Sequence, residues 1–205
     1  MIGASQTPTR AAVLALREER KVVGEAYEFL DEKRLVLAAE LLRQLERYAR
    51  LRAELAALAD TAGSRLLAAL QRHGLQELAV YPARPPGQRQ LQLQTRNFMG
   101  VRLIETVLDT PAPPVPTTPA CFPSVEAEDC RQAFEKLVER SGQLAGVAGN
   151  LYRLMAEYRL TERRARALEN IILPEIGQLL KEMTVHLEEI DLEDAIRVRR
   201  QVKTR

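Results

Sequence analysis

Tryptophan is absent from this chain and aromatic residues make up only 4% of it, which argues against a large globular core built on bulky rings. Charge of one sign is also lacking. Thirty Lys and Arg nearly cancel twenty-eight Asp and Glu, and a net charge of +2 predicts no general affinity for nucleic acid or for an anionic membrane. The only two cysteines, Cys121 and Cys130, follow no secretory leader and are expected to be free and reduced rather than a disulfide framework. Apolar runs such as Ile171-Ile172-Leu173 are far too short for a hydrocarbon core of about 30 Å, so the expectation is a soluble or peripheral protein on the cytoplasmic side.

The usual signatures of catalysis are missing as well. There is no phosphate-binding Gly-x-x-x-x-Gly-Lys-Ser/Thr loop, no His-Glu-x-x-His, no cysteine cluster and no Gly-x-Ser-x-Gly elbow. His73 and His186 lie far apart in the chain, and the carboxylates fall in helix-surface pairs such as Glu28 with Glu32 or Glu188 with Asp191. Neither catalytic residues, cofactor nor metal are expected, and an elongated helical protein offers little of the concave apolar cleft that small molecules use. The basic C-terminal run has a structural account in the helix dipole, and no aromatics interleave it for nucleic-acid stacking.

What the sequence holds in abundance is helical periodicity. Alternate steps of four and three from Leu137 give Leu137, Ser141, Leu144, Ala148, Leu151, Met155, Tyr158, Glu162, Ala165, Glu169, Ile172, Ile176, Leu179, Met183, His186 and Ile190, twelve of sixteen apolar. The same stepping from Val13 gives Val13, Leu16, Arg20, Val23, Tyr27, Leu30, Arg34, Leu37, Leu41, Gln44, Tyr48, Leu51, Leu55, Leu58, Ala62 and Arg65, again twelve of sixteen. Sustained heptads of this kind specify a coiled coil. The fold class predicted is all-α: a long antiparallel two-helix coiled coil with a small β-hairpin and irregular segment in the middle. At 1.5 Å per residue the C-terminal helix alone would extend roughly 110 Å.

The organisation follows as an N-terminal long helix over 1–74, a hairpin and Pro-rich linker over 75–124, and a C-terminal long helix over 125–205. Thr7-Pro8-Thr9 reads as the first helix start, with Pro8 at the first helical position, and His73-Gly74 as its stop. Leu91 and Leu93 alternate with glutamines, and Val101 and Leu103 flank Arg102, on either side of a turn within Asn97 to Gly100. Pro111, Pro113, Pro114, Pro116, Pro119 and Pro123 form an extended linker, after which Ser124 begins the second helix. Two features break that helix. Ser141, Gly142, Ala145, Gly146, Ala148 and Gly149 make a small-residue patch, read either as close helix packing or as a docking site for another subunit. Pro174 removes a backbone hydrogen bond and bends the helix.

Four stretches carry a resemblance. Thr161-Glu162-Arg163-Arg164-Ala165-Arg166-Ala167-Leu168-Glu169, then Ile172-Leu173-Pro174 and the closing Arg197-Val198-Arg199-Arg200-Gln201-Val202-Lys203, resemble the D subunit of the V-type and A-type rotary ATPases. Pro8-Thr9-Arg10, Gly24 with Leu30 and Lys33-Arg34, and Asn97-Phe98-Met99-Gly100-Val101 match in order. Ala165-Arg166 stands where that family has Val-Asn, and Leu35 where an Asp is common.

The resemblance implies the central-stalk rotor axle of such an ATPase. It would transmit torque between the ring of catalytic A and B subunits and the membrane rotor ring, in ATP synthesis or ATP-driven proton or sodium transport. It implies a non-catalytic subunit, peripheral on the cytoplasmic face of the membrane, with A and B, the small F subunit of the stalk and a C- or d-type rotor adaptor as partners. On that resemblance Arg163, Arg164, Arg166, Glu169, Arg197, Arg200 and Lys203 are expected to face the ring. Asn97, Met99, Gly100 and Val101 lie in a hairpin that tunes activity, and Pro174 sets the bend. Two other readings stand beside it: a coiled-coil stalk of a flagellar or secretion-export ATPase, and an RNA-gripping helical arm.

Overall fold

The computed structural model describes residues 9–79, 90–109 and 123–203. Its elements are helix α1 (Arg10–Ala79), strands β1 (Gln90–Phe98) and β2 (Val101–Asp109), helix α2 (Val125–Ala167), a π turn (Leu168–Ile172) and helix α3 (Leu173–Lys203). No proline interrupts α1, and Ala, Leu, Glu and Arg, which lose little side-chain freedom in a helix, fill it. Thr9 caps it, its hydroxyl accepting from the Ala12 N–H at 3.2 Å. Helix α1 therefore begins at Arg10, and Pro8, expected at the first helical position, precedes it and lies outside the described residues. Near the other end Gly74 leaves the helical region, with φ 71° and ψ 169°, and one more helical turn follows to Ala79. Such a φ is costly for any side chain with a Cβ. Ser124 caps α2 through its hydroxyl, which accepts from the Ala127 N–H, and Glu126 and Glu128 complement the positive end of the dipole.

The chain forms two compact units, one of Met1–Val36 with Tyr158–Arg205 and one of Leu37–Glu157. In the first, Val13 and Leu16 of α1 cluster with Ile176, Leu180 and Met183 of α3, with Val23, Ile172, Leu179 and Leu187 packed around them. Arg10 pairs with Asp191 at 3.0 Å, and Tyr27 lies within electrostatic reach of Glu169. Partners that fall in number on one side as they rise on the other mean antiparallel helices. In the second unit the same sense is fixed by Glu54 with Arg140 at 3.9 Å and Arg65 with Asp129 at 3.0 Å. Leu37 and Leu154 are fully buried there, each worth about 2 kcal/mol relative to exposure. Cys130 is free and buried, and burial pushes its thiol pKa up; Cys121 lies outside the described residues.

Strands β1 and β2 pair antiparallel from Gln90↔Asp109 to Phe98↔Val101 without a bulge. Met99 and Gly100 form the turn with φ 49° and 87°. Positive φ at both central positions is the type I′ geometry whose twist matches that of the strands. The sequence pattern reports the two faces unevenly. Val101 and Leu103 of β2 are buried, whereas Leu93 of β1 is 55% exposed, and the side chain of Leu91 lies outside the described residues.

Candidate functional site

The hairpin seat is the most specific construction in the molecule. In a two-residue hairpin closed by the hydrogen-bonded pair Phe98↔Val101, every second pair is non-bonded, so the N–H and C=O of Ile104, opposite Thr95, point away from β1. The Asn150 carboxamide of α2 meets both. Its Oδ1 accepts from the Ile104 N–H at 2.8 Å and its Nδ2 donates to the Ile104 carbonyl at 2.8 Å. A side-chain amide thus takes the place of a third strand. Asn150 is only 4% exposed, and its Oδ1 also accepts from Arg153.

Two turns earlier on α2, the Thr106 hydroxyl donates to the Gly142 carbonyl at 2.7 Å, and Thr106 lies directly over Gly146, one turn before Asn150. A Cβ on Gly146 would stand 2.6 Å from Thr106 Oγ1 and 2.9 Å from its Cγ2. The small residues of α2 are therefore where a strand lies on a helix, an arrangement different from both readings of the patch in the sequence. Helix α1 holds the hairpin by charge. Arg96 reaches Glu40 at 3.7 Å and lies 5.8 Å from the Phe98 ring centre, and Glu105 faces Arg47 at 3.8 Å. Glu40 is 5% exposed. Burial pushes its carboxyl pKa up, but hydrogen bonds from Arg43 and Gln44 and the charges of Arg43 and Arg96 outweigh that and hold it below the ordinary value. Gln44 donates to Glu40, while its own buried Oε1 has no partner among the described residues.

Of the expected hairpin residues, Met99 and Gly100 form the turn, Val101 is buried, and Asn97 is exposed on the edge strand. The remaining site residues are in the other unit. Arg163, Arg164 and Arg166 are exposed on the last turns of α2; Arg163 contacts the Arg159 carbonyl, and Arg166 is bound to Glu162 at 2.7 Å. Glu169 belongs to the π turn and is engaged by Tyr27 of α1. Burial, then the charges of Glu169 and Asp31, raise the Tyr27 phenol pKa. Arg197 pairs with Asp194 at 3.3 Å, Arg200 is exposed, and Lys203 ends α3 with a side chain outside the described residues. Pro174 directly follows Leu173, whose N–H donates to the Leu168 carbonyl five residues back.

An open groove of about 830 Å³ lies between α1 and α3 where Gly24 and Gly177 have no side chains, and long charged groups such as Arg17, Arg20, Lys21 and Lys181 line it. Among the described residues no cluster of three or more His, Cys, Asp or Glu is placed to hold a metal, and no helix is long and apolar enough to cross a membrane. Sequence reasoning missed Asn150, Thr106 and Glu40. The first has a signal in retrospect, since a lone Asn just beyond a run of small residues is poor seam material and a good edge partner.

Residues 12–203 match the family described as the D subunit of ATP synthase. The chain is 26% identical over 196 residues to the D subunit of the V-type ATP synthase of Thermotoga neapolitana, covering 96% of each. It is 30% identical over 196 residues to the D subunit of the A-type ATP synthase of Pyrococcus furiosus, covering 94% of this chain and 91% of that one. The D subunit of the A-type ATP synthase of Archaeoglobus fulgidus is 26% identical over 199 residues, covering 94% of each.

Proposed function

Because the chain belongs to the family of ATP synthase D subunits, we propose that it is the central-stalk axle of a V/A-type ATPase, carrying torque between the catalytic ring and the membrane rotor ring. The observation that carries the reading is the unit in which the first part of α1 pairs with α3. From Arg10 to Val36 and from Tyr158 to Lys203 the helices form one antiparallel pair, its seam built from Val13, Leu16, Ile176, Leu180 and Met183. A pair with an apolar seam resists unwinding, as torsion requires, while Arg163, Arg164, Arg166, Arg197 and Arg200 stay on its outside for changing contacts. In this reading the A and B subunits surround that pair, and the F subunit and the C- or d-type adaptor bind the rest. The protein is non-catalytic and peripheral on the cytoplasmic face. Exposed Leu42, Leu45, Tyr152 and Met155 supply apolar surface for partners. The flagellar or secretion stalk has no support in the family match.

The test is a rotation assay on complexes assembled with the double variant Arg163→Ala and Arg164→Ala. Incorporation with lowered torque is the expected result. Unchanged torque would show that these arginines do not bear on the ring, and failure to recover A and B subunits with the tagged parent chain would refute the axle itself.

A further inference from the structure

The hairpin has two outer edges, and among the described residues α2 meets one of them. On β2 the outward groups of Ile104 are taken by Asn150. On β1 the same alternation turns the N–H and C=O of Leu93, Thr95 and Asn97 away from β2. Among the described residues, none of the three makes a hydrogen bond beyond the hairpin, and all are exposed. Three donors and three acceptors recur at about 7 Å, two residues of extended chain. An extended polypeptide matches that spacing.

Edges of this kind are normally blunted by proline, lysine, a bulge or an inward charge. Over Gln90–Phe98 there is no proline or lysine, and the register runs without a bulge. The single charge, Arg96, is drawn toward Glu40 and the Phe98 ring, and Leu93 is left 55% exposed. We propose that the β1 edge is an interaction surface that takes an extended strand from another subunit of the ATP synthase complex, making the two-stranded sheet three-stranded.

The source of the strand follows from what is near. The chain's own flanking stretches carry Pro82, Pro85 and Pro86 before β1 and Pro111, Pro113, Pro114, Pro116 and Pro119 after β2, and proline lacks the donor a ladder needs. The relatives are subunits of a synthase by name, so other polypeptides are the available company. The incoming strand contributes main-chain pairing for affinity and an apolar side chain beside Leu93 for register. Membership of the complex is all that this requires, so a negative rotation assay leaves it standing.

Residue-resolved amide hydrogen exchange on the full chain alone and on the purified ATP synthase complex tests it. The amides of Leu93, Thr95 and Asn97 are expected to exchange freely in the isolated chain and to slow at least about a hundredfold in the complex, whereas Gln94 and Arg96, which donate to β2, are slow in both. Unchanged exchange in the complex overturns the proposal. So does slowing in the isolated chain, whether independent of concentration, meaning cover by its own residues, or rising with it, meaning a second copy. As a second measurement, Thr95→Pro deletes one outward donor and no hairpin hydrogen bond. It is expected to weaken retention in the complex at least about tenfold relative to Thr95→Val, which keeps the N–H. Equal retention of the two variants overturns the proposal as well.

Discussion

Replacing Asn150 by Ala isolates the contact that joins the hairpin to α2. The substitution removes two hydrogen bonds at 2.8 Å from a side chain that is 4% exposed, and leaves both the N–H and the C=O of Ile104 without partners. An unsatisfied buried backbone group costs about 1–3 kcal/mol, and water can reach the half-buried Ile104 in part, so the loss is about 2–4 kcal/mol. Thr106 still donates to Gly142, and Arg96 and Glu105 still face α1. The hairpin therefore undocks as a local event while the helix pair stays folded. That free energy multiplies the undocked population roughly thirty- to several-hundred-fold. The assay is amide exchange at Ile104 and Thr106 beside exchange in α1, read together with the urea midpoint by circular dichroism. The expected outcome is accelerated exchange in β2 with little change in helix unfolding. If Ile104 remains as protected in Asn150→Ala as in the parent, the amide is not the clamp and the seat must be held by shape alone.

Three further outcomes follow from neighbouring contacts. Gly146→Val brings a branched side chain into Thr106 and should cost about 1–3 kcal/mol of hairpin docking, partly recovered by adding Thr106→Ala, as measured by exchange in β2. Gly100→Ala forces a Cβ to φ 87°, and should weaken the hairpin by about 1 kcal/mol with no change in the helix signal. Because the Glu40 carboxyl is held below its ordinary value, its contribution to stability is fully present above the unfolded-state pKa, about 4.3, and is lost as pH falls through the lower folded value. The protection of β2 should therefore fall on acidification below about pH 4, and Glu40→Gln should flatten that dependence.

The helices were legible because heptads report burial directly. In α1, Val13, Leu16, Leu37, Leu51 and Ala62 are all buried, and even the polar Gln44 on that seam is 6% exposed. The hairpin was legible because Gly100 and the alternation in β2 are local signals. Neither the seat nor the free edge could be read the same way. Asn150 finds its partner 46 residues away, and nothing in a run of small residues says whether a helix or a strand will lie on it. Leu93 is exposed because it pairs with Thr106, on the face opposite Val101 and Leu103, and a period of two does not say which face of a strand is covered. Glu40 stepped outside the heptad pattern altogether, since a buried acid is tolerated only where several donors converge, and one of those, Arg96, comes from β1.

The π turn accounts for the places where an unbroken heptad count failed. That count puts Leu151, Met155 and Glu162 on the seam, but the fully or nearly buried residues are Asn150, Leu154 and Thr161, each one position earlier, and Met155 is 41% exposed. Beyond Pro174 the count and the burial agree again at Ile176 and Met183. One residue has been inserted between the two stretches, and a turn closed by a hydrogen bond from residue i to i−5 holds one residue more than an α-helical turn. The Leu173 N–H donating to the Leu168 carbonyl is that bond. Carried through without it, steps of four and three from Thr161 and Ala165 would reach Leu168, Ile172, Glu175, Leu179 and Glu182. The two acids would then turn toward Val13 and Leu16 in place of Ile176 and Met183. Pro174 explains why the turn is there. Its ring crowds the carbonyl four residues back, that of Asn170, and it has no N–H to give that carbonyl, so a widened turn at Leu168–Ile172 relieves the clash at the point where the seam needs its extra residue. The proline and the phase shift are one feature of the sequence, and each makes the other tolerable.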